Sequence, residues 1–300
     1  ERAPTAVPAQ LTAYSLAEYQ KKLTAIYSAL IQQPETAVDY LPAAEILTSH
    51  LRPESFHFLL SAQHSNLAPS KHYRAVIFDI YGTLLIAPAG GVKPDIAADS
   101  KLREIIKFFG HTPPESPSTQ LHAAVLHHHS TTAAPFPEVD LRVLWREILG
   151  LDPGTETTAL VHALETAWHP AQPMPGAADF ISKLSRSGIS LGLLSNAQSH
   201  TLAALGDISA LFAPELTILS YQHGIAKPSP ALFQILTDRL AGRGITPAET
   251  LFIGNDPLHD IVAATAAGFQ TALFIGHPNS LRPGDCKPDF TIEKWSEFNI

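Results

Sequence analysis

Residues 73–80 read YRAVIFDI, a short apolar run that ends with the carboxylate of Asp79 and one further apolar residue. A run of this length, rich in β-forming residues, is typical of a strand buried on both faces of a sheet. Similar runs recur at 189–196 (ISLGLLSN), 216–220 (LTILS), 250–256 (TLFIGND) and 271–276 (TALFIG). Helical patterns accompany the later runs, at 176–187, 230–242 and 258–267. This alternation predicts an α/β fold whose core is a Rossmann-like, doubly wound parallel sheet.

Two segments do not follow this alternation. Residues 1–70 carry mainly helical patterns, which predict a helical N-terminal extension. Residues 90–172 contain no convincing strand, and their four helical patterns lie at 96–109, 118–128, 138–149 and 156–168. We therefore predict a helical cap over 90–172, inserted into a core made of 71–89 and 173–300. The run His127–His129 in this segment is interpreted as a polar helix end, because no ligand carboxylate or cysteine accompanies it at fixed spacing.

The composition limits the choice of partners. The 300 residues have a formal net charge of -8 and only 16% charged residues, which disfavours nucleic acid and anionic membranes. No apolar run reaches the roughly 18 residues of a membrane span. The single cysteine, Cys286, excludes an internal disulfide and predicts a reducing, cytoplasmic location. For the N-terminal helices, we consider packing or homodimer formation the simplest hypothesis.

Polar side chains follow the ends of the predicted strands. They are Asp79, then Ser195 and Asn196, then Lys227 at a helix start, then Asn255, Asp256 and Asp260. The carboxyl ends of parallel strands share one edge of a sheet, where ligands bind. Each of these residues alone has an ordinary explanation as a cap or turn residue. Together, and in strand order, they favour a functional site.

These residue types fit one kind of chemistry. The Asp79 carboxylate is a competent nucleophile if a cation such as Lys227 neutralises its repulsion of an anionic substrate. Ser195 and backbone N–H groups can donate hydrogen bonds to substrate oxygens. Asp79, Asp256 and Asp260 together would form a hard, oxygen-rich site suited to Mg²⁺.

Four motifs in this order resemble those of the haloacid dehalogenase-like (HAD) hydrolase superfamily. They are DIYGT (79–83), LLSN (193–196), KPSPALF (227–233) and GNDPLHD (254–260), and the resemblance covers residues 73–300. The segment MPGAADFISKL (174–184) resembles the return from a helical cap into the core. The resemblance implies a Rossmann-like core with a mobile cap and a reaction through an aspartyl-enzyme intermediate. Most members are Mg²⁺-dependent phosphatases, and a minority cleave carbon–halogen bonds without metal.

The resemblance also implies a role for each matching residue. The implied catalytic residues are Asp79, Ser195 and Lys227. The implied substrate-binding residues are Thr83, Ser195, Asn196 and Lys227. The implied metal ligands are Asp79, the Tyr81 backbone carbonyl, Asn255, Asp256 and Asp260.

Two positions depart from the phosphatase pattern. Phosphatases of the superfamily carry a general acid–base Asp two residues after the nucleophile, where this chain has Tyr81. The dehalogenase branch resembles the chain better there, since a halide leaves without a proton. Asn255 stands in place of the usual metal-binding Asp, and Asp256 follows it. A phenol with an ordinary pKa near 10 is a poor base, so an acid would have to come from the cap or the loop 87–92.

Three hypotheses therefore remain. We favour a Mg²⁺-dependent phosphatase that acts on a small, anionic phosphorylated metabolite. The first alternative is a metal-independent 2-haloacid dehalogenase, for which Arg103 and Arg146 are the candidate cap arginines, although solvation on a helix face explains both more simply. The second alternative is a non-catalytic binding protein on a degenerate fold.

Overall fold

The computed structural model of this chain describes residues 73–87 and 91–298. The predicted helical extension over residues 1–70, and the homodimer hypothesis that depends on it, lie outside the described residues.

A six-stranded, all-parallel sheet forms the centre of the fold, which confirms the predicted α/β class. The strands are, in chain order, β1 (Ala75–Phe78), β2 (Leu85–Ile86), β3 (Gln172–Pro173), β4 (Ser190–Ser195), β5 (Thr217–Leu219), β6 (Thr250–Gly254), β7 (Gln270–Phe274) and β8 (Phe290–Ile292). The sheet order is β5-β4-β1-β6-β7-β8, while β2 and β3 form a separate antiparallel pair. The sequence analysis missed β2, β3 and β8, because two or three residues are too few to establish a period.

The register of the central strands brings the predicted site residues to one edge. Phe78 of β1 is aligned with Leu193 of β4 on one side and with Ile253 of β6 on the other. Because all three strands are parallel, the residues that follow them meet at the same edge of the sheet. Asp79 is fixed there by a 2.8 Å hydrogen bond from its N–H to the Ile253 carbonyl.

Four helices lie between β2 and β3 in the chain: α1 (Ile96–Phe108), α2 (Pro117–Thr131), α3 (Leu141–Leu149) and α4 (Thr155–Trp168). Residues 96–168 are called the helical segment below. The pattern at 138–149 begins three residues before α3, because the Asp140 side chain accepts a hydrogen bond from Arg142 N and so caps the helix at that point. Gly150 ends α3 in the left-handed conformation that glycine adopts without strain.

The remaining helices pack around the sheet. They are α5 (Ala177–Arg186), α6 (Thr201–Ala204), α7 (Pro230–Ala241), a π-helix (Pro257–Val262) and α8 (Ala263–Ala266), which continues it. The helical pattern at 258–267 therefore corresponds to two helices with different hydrogen bonding. Within the described ranges, no helix has both the length and the apolar character to cross a membrane.

Apolar side chains are buried on both faces of the sheet, which explains the continuous apolar run of β1. Val76 and Phe78 join the cluster on one face, and Ala75 and Ile77 join the cluster on the other. A third cluster lies within the helical segment, around the fully buried Trp145. The helical segment therefore has a hydrophobic core of its own.

Candidate active site

The Asp79 carboxylate is buried at the carboxyl edge of the sheet. Its Oδ1 atom accepts hydrogen bonds from Ser195 Oγ at 3.0 Å and from Lys227 Nζ at 2.6 Å. The structure brings these three predicted catalytic residues together. Among the described residues, Asp79 Oδ2 has no hydrogen-bond partner, so one carboxylate oxygen is held and the other is available for chemistry.

Lys227 joins two buried carboxylates. Its Nζ atom lies 2.6 Å from Asp79 Oδ1 and 2.5 Å from Asp260 Oδ1. Burial alone would lower the pKa of Lys227, but the charges of Asp260 and Asp79 outweigh burial and hold it above its ordinary value. Burial, with the neighbouring charge of Asp79, raises the pKa of Asp260 to about 6 although Lys227 opposes this shift. With one ammonium for two carboxylates, the site has an excess of negative charge before any substrate or metal binds.

Asn196 holds the backbone of Lys227 in place. Its Oδ1 atom accepts from the Lys227 N–H at 2.7 Å, and its Nδ2 atom donates to the Lys227 carbonyl at 3.1 Å. The residue predicted to bind substrate therefore uses both ends of its amide to fix the loop that presents the ammonium.

Thr83 and Asn255 close the other side of the Asp79 loop. Thr83 Oγ1 donates to Asn255 Oδ1 at 3.3 Å, and Asn255 Nδ2 donates to the Ser280 carbonyl at 2.9 Å. Gly82 lies between them with a φ of 86°, and a Cβ added there would come within 2.4 Å of Asn255 Nδ2. Glycine is therefore required at position 82 by both conformation and space.

The two acids that follow β6, Asp256 and Asp260, make different contacts. Asp256 Oδ1 caps the π-helix by accepting from the N–H groups of Leu258 and His259, and Asp256 Oδ2 lies 3.0 Å from His259 Nδ1. Asp260 Oδ2 accepts from the N–H groups of Asn255 and Asp256. Over the part of the chain that the structure describes, no three His, Cys, Asp or Glu side chains are grouped so as to hold a metal ion. The run His127–His129 lies near the C-terminal end of α2.

Tyr81 is a neutral hydrogen-bonding group in this structure. Its hydroxyl lies 2.9 Å from Thr201 Oγ1. Burial, more than the nearby charges of Glu165 and Asp79, raises the pKa of Tyr81 to about 12. The phenol therefore stays protonated at neutral pH. Its backbone carbonyl accepts no hydrogen bond within residues 73–87 and 91–298.

One carboxylate, that of Asp79, and the neutral oxygens of Tyr81 and Asn255 together form a donor set that is compatible with Mg²⁺. Asp79 Oδ2 and the Tyr81 carbonyl are unengaged in the described structure, and Asn255 Oδ1 accepts only the long hydrogen bond from Thr83. Mg²⁺ binds through one or two carboxylates and keeps several waters, so it does not need three acidic side chains. Asp79, Tyr81 and Asn255 are therefore the residues that could hold it.

Hydrogen bonds join the helical segment to the loops that carry the site. Glu138 Oε2 accepts from Ser220 Oγ at 2.7 Å, and Gln198 Nε2 donates to the Val139 carbonyl at 2.8 Å. Residues 136–138 also pair with 224–226, directly before Lys227. Sequence reasoning missed these contacts, because they join segments far apart in the chain and follow no period.

The arginine that reaches across from the helical segment is Arg142. Its guanidinium lies 4.9 Å from the centre of the Tyr221 ring and is paired with Asp140. Of the two candidate cap arginines from the sequence, Arg103 is exposed and Arg146 is half-buried near the end of α3. Neither has a described contact with the site.

The haloacid dehalogenase-like hydrolase model matches residues 73–268. The chain belongs to this family. The match includes all four motif segments around Asp79, Ser195, Lys227 and Asp260, and it also includes the whole helical segment.

Three curated relatives with significant similarity are phosphatases by name. A phosphoserine phosphatase from Thermus thermophilus is 30% identical over 166 residues, which is 53% of this chain and 62% of the relative. The pyrophosphatase PpaX from Oceanobacillus iheyensis is 36% identical over 125 residues, which is 40% of this chain and 55% of the relative. A ribulose-1,5-bisphosphate 5-phosphatase from Halopiger xanaduensis is 25% identical over 206 residues, which is 67% of this chain and 84% of the relative. The chain thus matches less than two thirds of the length of the first two.

Solved structures of the same family resemble the chain at low sequence identity. A HAD phosphatase from Thermococcus onnurineus has a TM-score of 0.49 and 18% identity, covering 75% of this chain and 95% of the relative. A 2-haloacid dehalogenase from Pseudomonas syringae also has a TM-score of 0.49, with 20% identity, covering 75% of this chain and 96% of the relative.

Proposed function

We propose that this hydrolase is a Mg²⁺-dependent phosphatase of a small phosphorylated metabolite, and that it acts through an aspartyl-enzyme intermediate at Asp79. The observation that carries the proposal is that the two oxygens of the Asp79 carboxylate differ in their hydrogen bonds. Lys227 and Ser195 hold Oδ1, while Oδ2 has no partner among the described residues. The names of the three curated relatives support a phosphoryl substrate over a haloacid.

The proposed reaction uses these residues in fixed roles. Asp79 Oδ2 attacks phosphorus, the bond from phosphorus to the leaving oxygen breaks, and that oxygen takes a proton from water. Lys227 and Ser195 keep Asp79 oriented and donate hydrogen bonds to the phosphoryl oxygens. The positive charge of Lys227 also stabilises the negative charge on those oxygens, which lowers the barrier of the reaction. Asp260 keeps Lys227 charged and in position. A bound Mg²⁺, held by Asp79, the Tyr81 carbonyl and Asn255, would neutralise the remaining negative charge.

We also propose the domain division that these roles require. Residues 90–172 would form the cap over the sheet edge, and 71–89 with 173–300 the core. The hydrogen bonds of Glu138 and Gln198 to the site loops support this division. A cytoplasmic location and a small anionic metabolite as substrate remain predictions, as does the absence of a nucleic-acid or membrane partner.

The experiment is a hydrolysis screen with 4-nitrophenyl phosphate, a panel of metabolite phosphates and 2-chloropropionate, each run with Mg²⁺ and with chelator. We expect phosphate release that requires Mg²⁺ and disappears in Asp79→Asn. Asp238→Asn, the same substitution at an exposed position of α7, is the matched control and should retain the parent rate. Absence of phosphate release from every substrate would overturn the proposal.

The same screen tests the dehalogenase alternative, which Tyr81 favours, since an acid at that position is dispensable when a halide leaves. Halide release that persists in chelator would establish that alternative. The non-catalytic alternative would be established if neither product appears while the protein remains folded.

A further inference from the structure

The loop that follows β4 contacts three parts of the molecule through residues close together in the chain. Ser195 donates to Asp79 Oδ1, and the amide of Asn196 holds the backbone of Lys227. Gln198, two residues after Asn196, uses both ends of its side-chain amide on the helical segment. The same short loop therefore contacts the nucleophile, the loop that presents the ammonium, and the helical segment.

Gln198 binds the backbone at the start of α3. Its Oε1 atom accepts from the Leu141 N–H at 3.1 Å, and its Nε2 atom donates to the Val139 carbonyl at 2.8 Å. Leu141 is the first residue of α3, so its N–H has no acceptor within that helix. Val139 and Leu141 are both buried. A core residue thus supplies the acceptor that the helix itself cannot provide.

Glu138 makes a second connection between the same two parts of the molecule. Its Oε2 atom accepts from Ser220 Oγ at 2.7 Å, and Ser220 Oγ accepts from the Ala197 N–H at 3.0 Å. Backbone pairing of 136–138 with 224–226 is the third connection. All three connections reach the loops 195–198 and 224–227, which carry the site.

The boundary between the helical segment and the core is polar. Within the described ranges, the buried residues of each hydrophobic cluster lie on one side of this boundary, two clusters in the core and one in the helical segment. No shared apolar cluster therefore fixes the helical segment on the core. Polar interfaces between compact units allow relative motion, so the hydrogen bonds across this boundary have a large share in setting its geometry.

We propose that Gln198 is a positioning residue, whose amide holds the helical segment on the site loops and so sets the affinity for substrate. This inference rests on the proposed function above. A substrate that binds only the docked arrangement is bound less tightly when that arrangement is less populated. Loss of the Gln198 hydrogen bonds therefore raises KM. Saturating substrate draws the chain back to the docked arrangement, so kcat is retained.

The kinetic test uses 4-nitrophenyl phosphate with Mg²⁺. For Gln198→Ala we expect KM to rise by about three- to thirtyfold while kcat stays within about twofold of the parent. Gln198→Glu has nearly the same size but turns a carboxylate oxygen towards the Val139 carbonyl, so it should raise KM at least as much. Gln234→Ala, the same substitution at an exposed position of α7, is the matched control and should change neither constant.

Amide hydrogen exchange tests the docking without substrate and without turnover. The N–H groups of Glu138 and Ala226 bond across the boundary, to the Gly224 and Phe136 carbonyls, and neither contacts Gln198. In Gln198→Ala both should exchange faster, by about tenfold, because they open with the helical segment. Amides of β1 and β6 should exchange as in the parent.

The outcomes separate this inference from the proposed function. A KM within about twofold of the parent in both Gln198 variants overturns the positioning role. Faster exchange confined to Leu141 also overturns it, since Gln198 would then make a local bond alone. If the parent releases no phosphate, the phosphatase proposal fails, and exchange at Glu138 and Ala226 decides whether Gln198 holds the helical segment. If Gln198→Ala does not fold, the same measurements on Gln198→Glu decide the question.

Discussion

The side-chain amide of Asn196 makes hydrogen bonds to both backbone groups of Lys227. It accepts from the N–H at 2.7 Å and donates to the carbonyl at 3.1 Å. Asn196→Ala removes both hydrogen bonds and frees the loop that presents the ammonium. We expect a loss of about 1–2 kcal/mol in the free energy of unfolding. We also expect kcat to fall by about ten- to a hundredfold, since small misplacements of catalytic groups are costly. Denaturant unfolding and steady-state kinetics on 4-nitrophenyl phosphate measure the two effects.

Gln234→Ala is the control for this change, because Gln234 is an exposed amide whose bond is to Asp238 on its own helix. It should leave kcat at the parent value. If Asn196→Ala lowers stability but keeps the parent kcat, Asn196 supports the fold and does not position Lys227.

The charges around Lys227 predict opposite stability effects for two inactive variants. Lys227→Met leaves Asp79 and Asp260 buried without a counter-ion, and removing one partner of a buried ion pair costs about 3–5 kcal/mol. Asp79→Asn removes one of two carboxylates around one ammonium and so cancels the excess negative charge. We expect Lys227→Met to unfold at a clearly lower temperature and Asp79→Asn at or above the parent temperature. Calorimetry at neutral pH measures both, and a large loss of stability in Asp79→Asn would contradict this account.

Tyr81 should not take part in proton transfer. Its pKa of about 12 keeps the phenol protonated, so Tyr81→Phe should leave the shape of the pH–rate profile unchanged up to about pH 10. Tyr81→Asp places a carboxylate at the position of the missing acid. It should raise the rate of phosphate release above that of the parent, by up to about 10²–10⁴-fold. Steady-state phosphate release measures this, and a Tyr81→Asp variant no faster than the parent would argue against an acid–base role for that position.

His162 predicts how stability depends on pH. Burial, followed by the nearby charges of His200 and Arg142, lowers the pKa of His162 from 6.5 to about 4. The unfolded chain therefore binds more protons than the folded chain between these values. The contribution of neutral His162 to the free energy of unfolding is therefore fully present above pH 6.5. It is lost as the pH falls towards 4, by up to about 3 kcal/mol.

His162→Gln should reduce this dependence. The unfolding free energies of the parent and the variant should change equally with pH only above pH 6.5 and below pH 4. His127→Gln, at an exposed position, serves as the control and should keep the parent slope. An equal slope for His162→Gln and the parent between pH 4 and 6.5 would contradict the lowered pKa.

The sequence was sufficient to predict which strand ends would meet. Apolar runs of the right length gave the parallel sheet, and parallel register then brought Asp79, Ser195 and Lys227 to one edge. Asp260 also joined them, through Lys227. These predictions held because long apolar runs are a strong signal and because topology, once fixed, determines the shared edge.

The sequence was not sufficient to decide how each polar side chain would be used. Asp256 and Asp260 look alike as acids near a strand end, yet one caps the next helix and the other binds Lys227. The choice depends on local N–H groups that compete for a carboxylate. The hydrogen bond between Glu138 and Ser220 follows from packing of the helical segment on the core, which no periodicity encodes.

Asp79 and Lys227 are separated by 148 positions, and Lys227 and Asp260 by a further 33. Loop-closure entropy opposes contacts between residues this far apart in the chain. Any chain that ends before residue 227 has Asp79 as an ordinary strand-end carboxylate with no neighbouring ammonium. Recovery of the proposed phosphatase activity during refolding would therefore report that Lys227 has reached Asp79.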